Sequence, residues 1–222
     1  MKVYAVVPAF NEAKTVGEVV RSLAAACDRV LVVDDGSSDE SGVRAREAGA
    51  EVLRHALNRG LGAALGTGIA AAVADGADIV FTFDADGQHR AADIPRLIEP
   101  IVAGRADVAI GVRTADRRKM PLQRRLANWV GNALTYALFG LWVQDSQSGL
   151  RAFSLKAAGE LRLRCDRMDV SSEIIKEIKT HGWRLAEVPI EPVYTAYSLS
   201  KGQSFFVGLK TAGRLLLRRL IG

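Results

Sequence analysis

Apolar residues in the first half of the chain fall in short continuous runs, separated by stretches in which they recur every three or four positions. The runs KVYAVVP (2–8), RVLVVDD (29–35), DIVFTFDAD (78–86) and ADVAIGVR (106–113) are rich in β-branched residues and apolar on both faces. That pattern predicts strands buried on both sides, with AEVLRH (50–55) as a shorter candidate. Helical spacing marks 12–27, 37–49, 60–76 and 91–104, the second of these with serines and Asp39 as capping groups. The third is so rich in glycine and alanine that it is predicted to pack closely. Alternation of this kind predicts an α/β fold with a mostly parallel central sheet covered by helices on both faces.

After Arg113 the pattern changes. A basic turn leads into eighteen uncharged residues, Leu126 to Val143. This is borderline for a membrane span of about twenty residues, and Asn128, Gly131, Asn132 and Gly140 lower its apolarity. A helix lying in a membrane interface, with arginines at its N-terminal end, and ordinary core packing both remain open. Residues 148–161 read as strand, turn and helix, 171–183 as a helix and 184–194 as a late strand; 204–222 is amphipathic and basic. No internal repeat or low-complexity linker divides the chain, so one domain over 1–222 is expected.

Composition adds little until charge is located. Of 222 residues, 49% are apolar and 25% charged, an ordinary globular balance. Cys27 and Cys165 lack ligand spacing and are expected to be plain thiols in a reducing compartment. No charged segment followed by a cleavable apolar run opens the chain, so a cytoplasmic location is expected. The net charge of +5 is modest, but Arg117, Arg118, Lys119, Arg124 and Arg125 fall within nine residues, and no acid follows Lys201. Such clusters suit a phosphate-bearing partner or an anionic membrane surface. Nucleic acid is disfavoured, because no stacking aromatics interleave with the basic residues.

Candidate chemistry sits at the ends of the predicted strands. In a parallel sheet, ligands bind beyond the carboxyl ends, and here those ends read Pro8-Ala9-Phe10-Asn11-Glu12, Asp34-Asp35-Gly36-Ser37 and Asp84-Ala85-Asp86. In an extended segment Asp84, Asp86 and Gln88 project to one side and Ala85 to the other. Hard oxygen donors of this kind suit Mg²⁺ or Mn²⁺, which complete their shells with substrate phosphate. The glycines of GLGAALGTG follow the third strand instead of the first, which argues against a dinucleotide fingerprint.

VVPAFNEAKTVGEVV, VVDDGSSDES, NRGLGAALGTGI, FTFDADGQH, DSQSGLRAF and EVPIEPVY occur in this order from about residue 2 to 195. Together they resemble the family 2 glycosyltransferases, and more closely the polyprenyl-phosphate sugar transferases of dolichol-phosphate mannose synthase type. The resemblance implies a GT-A nucleotide-diphospho-sugar transferase fold, a divalent metal and a UDP- or GDP-sugar donor. It also implies a nucleotide-sugar and metal half over 1–113 and an acceptor half over 114–222. On this resemblance Asp86 and Gln88 hold the metal, with Asp84 joining directly or through a neighbouring group, and His89 stands beside the ligands or at the surface. Pro8, Ala9, Asn11, Glu12, Asp34, Asp35, Asn58 and Gly60 line the donor nucleotide, with Asp35 favoured at the nucleobase or ribose. Leu61 stands where relatives often carry lysine.

The resemblance places Arg113 and Arg124 against the phosphate of a polyprenyl phosphate acceptor, with Asn128 where serine is common. A phosphate monoester is anionic and needs no general base, so in-line displacement with inversion is expected. A hydroxyl acceptor in glycan assembly, the alternative, requires a carboxylate base, for which Asp145 and Glu173 are available. Asp145 is expected to shape the site or hold Arg113 or Arg124. Lys201 either closes over the donor diphosphate or is an exposed loop residue. Relatives often carry C-terminal membrane helices. This chain is expected to dock peripherally on the inner membrane face or through a membrane-protein partner. A non-catalytic docked subunit is a further alternative, disfavoured by the intact Asp84, Asp86 and Gln88.

Overall fold

The computed structural model describes residues 1–113, 129, 132–133, 136–137, 139–164, 170–191 and 193. Seven strands form one sheet: β1 (Val3–Ala9), β2 (Arg29–Asp34), β3 (Glu51–Arg54), β4 (Ile79–Thr82), β5 (Val108–Val112), β6 (Arg151–Ser154) and β7 (Leu185–Pro189). The order across the sheet is β3-β2-β1-β4-β6-β5-β7. The pairs β1/β2, β1/β4, β2/β3 and β5/β7 are parallel, while β6 runs antiparallel between β4 and β5. The sheet is therefore mixed, with a single reversed strand.

Helices α1 (Val16–Leu23), α2 (Ser41–Glu47), α3 (Leu61–Ala74), α4 (Ile94–Val102), α5 (Leu155–Glu160) and α6 (Val170–His181) cover both faces. Strand alternation assigns the sides. Val3, Ala5 and Val7 join a core with α1 and α4, while Tyr4 and Val6 join a second core with α3, α5 and α6. The fully buried Ile94 and Leu97 of α4 each contribute about 1.5–3 kcal/mol of hydrophobic stabilisation. In α3 the bare Gly68 permits the close packing predicted: a Cβ there would overlap Val6 and come 3.0 Å from Val33 Cγ2.

The four helices of the first half are shorter than predicted, α1 and α2 most of all. Asp39 accepts Ser41 N at 3.0 Å and Ala13 N at 3.1 Å, so α2 starts at Ser41, while Ser37 and Ser38 bond to Asn11 instead of capping a helix. Helix α1 starts at Val16, after a turn in which Glu12 O accepts Thr15 N and Val16 N. Among the described residues, no helix is long and apolar enough to cross a membrane. Arg117, Arg118, Lys119, Arg124, Arg125, Asn128, Cys165, Lys201 and the segment 204–222 lie outside the described residues.

Candidate active site

Parallel pairing brings the carboxyl ends of β1, β2 and β4 to one sheet edge; β6, antiparallel to both β4 and β5, begins there with Arg151 opposite Thr82, and β5 ends there. The segment after β4 keeps Phe83 and Ala85 in the core, which leaves Asp84 and Asp86 partly exposed on the other side, as the alternation predicted. Gly87, at φ +75°, turns the chain so that Gln88 N donates to Asp86 Oδ1 at 3.0 Å and its side-chain amide donates to Asp86 Oδ2. The chain leaving β7 packs against this loop: Val193 N donates to Gln88 O at 2.9 Å, and Glu191 pairs with Arg90.

The two carboxylates are made unequal. Burial pushes the Asp84 carboxyl up, but the His89 bond and the charges of His89, Arg151 and Arg113 outweigh it and leave it below its ordinary value. Asp86 is pushed up by burial and then by the neighbouring Asp84 charge, against the Gln88 bonds. Such a pair of close, repelling oxygen donors fits a hard divalent cation. No group of three or more His, Cys, Asp or Glu side chains able to hold a metal occurs among the described residues. The Gln88 side chain, bonded to Asp86, and substrate oxygens would be the further donors to such a cation.

His89 is buried, not at the surface. Its Nε2 lies 3.1 Å from Asp84 Oδ2 and its ring meets Phe83 edge-on, while Nδ1 has no hydrogen-bond partner.

On the β1–β3 side, Asn11 (φ 55°) accepts Ser38 N at 2.9 Å, and Glu12 N donates to Ser41 Oγ at 2.7 Å. Pro8 and Ala9 end β1 beside them. Asp34 is fully buried, with Oδ1 accepting Ser37 N at 2.9 Å and Oδ2 3.6 Å from Arg54 Nε. Asp35, favoured from sequence for the nucleoside, is turned inward. His55 Nδ1 donates to its Oδ1 at 2.7 Å, Arg59 N to Oδ1 at 2.9 Å and Gly60 N to Oδ2 at 2.7 Å. It thereby shapes the loop through Asn58 and Gly60 that enters α3, and Thr67 braces His55 Nε2 at 3.0 Å.

Arg113 leaves β5 at the same edge and is gripped by Asp145: Nε to Oδ2 at 2.6 Å and Nη2 to Oδ1 at 2.7 Å. The expectation that Asp145 holds Arg113 is met. Glu173 lies elsewhere in its bonding, both oxygens accepting Arg164 N at 3.0 Å. Arg124 and Lys201 lie outside the described residues. Sequence reasoning passed over Arg151, His55 and Asn132. Arg151 is buried, with its guanidinium donating to Ser146 O at 3.2 Å and Ser171 Oγ at 2.9 Å. Burial lowers its pKa to about 10 against the charges of Asp84 and Asp145, so it remains a cation at neutral pH.

Known proteins share this architecture. A crystal structure of glucosyl-3-phosphoglycerate synthase from Mycobacterium tuberculosis, bound to Mn²⁺, UDP and glucosyl-3-phosphoglycerate, matches 97% of this chain and 77% of its own, with TM-score 0.71 and 21% identity. An uncharacterized protein of Methanocaldococcus jannaschii is 44% identical over 99% of this chain and 93% of its own length. A UDP-N-acetylglucosamine–dolichyl-phosphate N-acetylglucosaminyltransferase of Methanococcus voltae is 35% identical, covering 98% of this chain and 96% of its own. An undecaprenyl-phosphate mannosyltransferase of Micrococcus luteus is 30% identical, covering 94% and 90%. Residues 4–162 match the model of glycosyl transferase family 2, and the chain belongs to that family of glycosyltransferases.

Proposed function

We propose that this protein transfers a sugar from a nucleoside diphosphate donor to a polyprenyl phosphate, with a divalent cation, Mg²⁺ or Mn²⁺, held by Asp84, Asp86 and Gln88. The observation that carries this reading is the meeting, on one sheet edge, of the Asp84–Asp86 pair with an arginine clamped by a buried carboxylate. The names of the Methanococcus and Micrococcus relatives support the acceptor class. When bound, the cation neutralises the charge that develops on the leaving diphosphate.

The chain's own residues do the rest. Pro8, Ala9, Asn11, Glu12, Asp34 and the loop through Asn58 and Gly60 form the nucleotide side, with Asp35 organising that loop. Arg113, joined by Arg124, takes the acceptor phosphate in the forked geometry that suits phosphate oxygens. A phosphate oxygen attacks the anomeric carbon as the bond to the diphosphate oxygen breaks, so the configuration inverts. No proton needs to move, and Asp145 is committed to Arg113, so it orients and does not act as base. Catalysis is positioning plus electrostatic stabilisation.

Trp129, Tyr136 and Trp142 are all about half exposed, and Tyr136 meets Trp142 edge-to-face at 5.9 Å. Aromatic side chains with polar tips suit the membrane interface, which supports peripheral docking where a lipid phosphate is met.

A transfer assay with UDP- and GDP-sugars, Mg²⁺ or Mn²⁺ and short-chain polyprenyl phosphate tests the reading. Product that requires the lipid phosphate, and that vanishes with chelator and in Asp86→Ala, is expected. Transfer to a sugar hydroxyl with no response to polyprenyl phosphate would overturn the acceptor.

A further inference from the structure

Arg113 owes its orientation to Asp145, but Asp145 lies in an irregular segment between Gly140 and β6. Some other group must hold that segment. Glu187 of β7 accepts Gln144 N at 2.6 Å, and the buried Asn132, helical like the described residues 129, 133, 136, 137 and 139, holds both flanks of Asp145. Its Nδ2 donates to Gln144 O at 2.6 Å, and its Oδ1 accepts Ser146 N at 3.1 Å and Ser146 Oγ at 2.7 Å. One amide thus takes the residue on either side of Asp145. Ser146 is also tied below, where its carbonyl accepts from the buried Arg151, which donates in turn to Ser171 at the start of α6.

An amide is well matched to this task, because it supplies a donor and an acceptor from one short, planar side chain. Aspartate would keep the acceptor and lose the donor. Alanine would leave the buried Ser146 N and the Ser146 hydroxyl without this partner and remove the side-chain donor to Gln144 O.

We infer that Asn132 is a positioning residue for acceptor capture: through the two peptides flanking Asp145 it fixes the Asp145–Arg113 clamp. This inference rests on the reading that Arg113 meets the acceptor phosphate. Asn132 touches no reacting group itself, so its removal should act on the acceptor and spare the donor.

The test is steady-state kinetics of full-length Asn132→Ala, Asn132→Asp, Ser146→Ala, Arg113→Ala and the double variant Arg113→Ala/Asn132→Ala, with short-chain polyprenyl phosphate varied. Mn²⁺ titration and thermal melting are run beside them. Both Asn132 variants should raise the acceptor KM on the order of tenfold, with donor KM and Mn²⁺ affinity within about twofold of wild type. Ser146→Ala, which keeps the backbone bond, should fall between. The double variant should be no worse than Arg113→Ala, because a residue acting through Arg113 has nothing left to position. Losses that multiply in the double variant would overturn the inference while leaving the acceptor reading intact. So would equal losses in donor and acceptor parameters that track the melting temperature. An Arg113→Ala variant with wild-type acceptor KM would instead remove the acceptor reading and this inference with it.

Discussion

Gly149 lets the Asp84 carboxylate lie against the backbone that enters β6, where a side chain would overlap both carboxylate oxygens. The peptide cannot easily retreat, because Thr82 Oγ1 donates to Gly149 O at 2.7 Å from the adjacent strand. Asp84 is held from the other side by His89. Gly149→Ala should therefore displace the carboxylate and lower turnover by about a hundredfold or more, together with weaker Mn²⁺ binding by titration. Wild-type metal affinity in that variant would show that Asp84 is free to move. A second residue gives a chemical test of burial. Desolvation pushes the Cys27 thiol up to about 11, and the thiolate is the reactive form. At pH 8 its thiolate fraction is then about one in a thousand. Iodoacetamide should label Cys27 far more slowly in the native protein than in denaturant, and faster as pH rises toward that value. Peptide mass mapping separates it from Cys165, and native labelling at the denatured rate would contradict the burial.

Close packing at the level of elements is clearest in α3. Gly68 faces Val6 of β1 and Val33 of β2, and a methyl group there must push the helix off two strands at once. Gly68→Ala should cost about 1–3 kcal/mol by overpacking, read as a lower urea midpoint with an unchanged slope. A midpoint at or above wild type would mean that the helix shifts freely. The glycine and alanine content of this helix made such packing legible from sequence, and the β-branched runs did the same for β1, β2, β4 and β5. Helix ends were less legible. Asp39 looks like a local cap, yet it also holds Ala13 across the sheet edge, and Ser37 and Ser38 serve Asn11. Partners twenty-six or twenty-seven positions away leave no periodic trace. The reversed direction of β6 was equally hidden, because apolar alternation reads the same both ways.

Over the whole molecule, the acidic strand ends were legible because parallel topology forces them to one edge. The frame behind them was not: Arg151, His55 and Asn132 work through bonds to residues that only the fold brings near. The opposite edge of the sheet is held by a different kind of contact. Arg184, ahead of β7, donates Nε and Nη2 to Asp107, ahead of β5, at 3.0 and 2.9 Å, and Nη1 to Gly104 O at 2.6 Å. The Arg184 bonds hold the Asp107 carboxyl below its ordinary value, against a smaller effect of burial. A carboxylate depressed in the folded state stabilises it above the unfolded pKa of about 3.9, and that contribution fades as pH falls through the lower folded value. Asp107→Asn removes the charge but keeps the shape. Its urea midpoint should fall below wild type at pH 7, and the gap should narrow as the pH is taken below 3.9. Because the comparison is between two chains at each pH, the general acid repulsion of a basic protein acts on both alike. A gap that stays constant from pH 7 into the acid range would assign the contribution to the hydrogen bonds alone and deny the ion pair its part in joining β5 to β7.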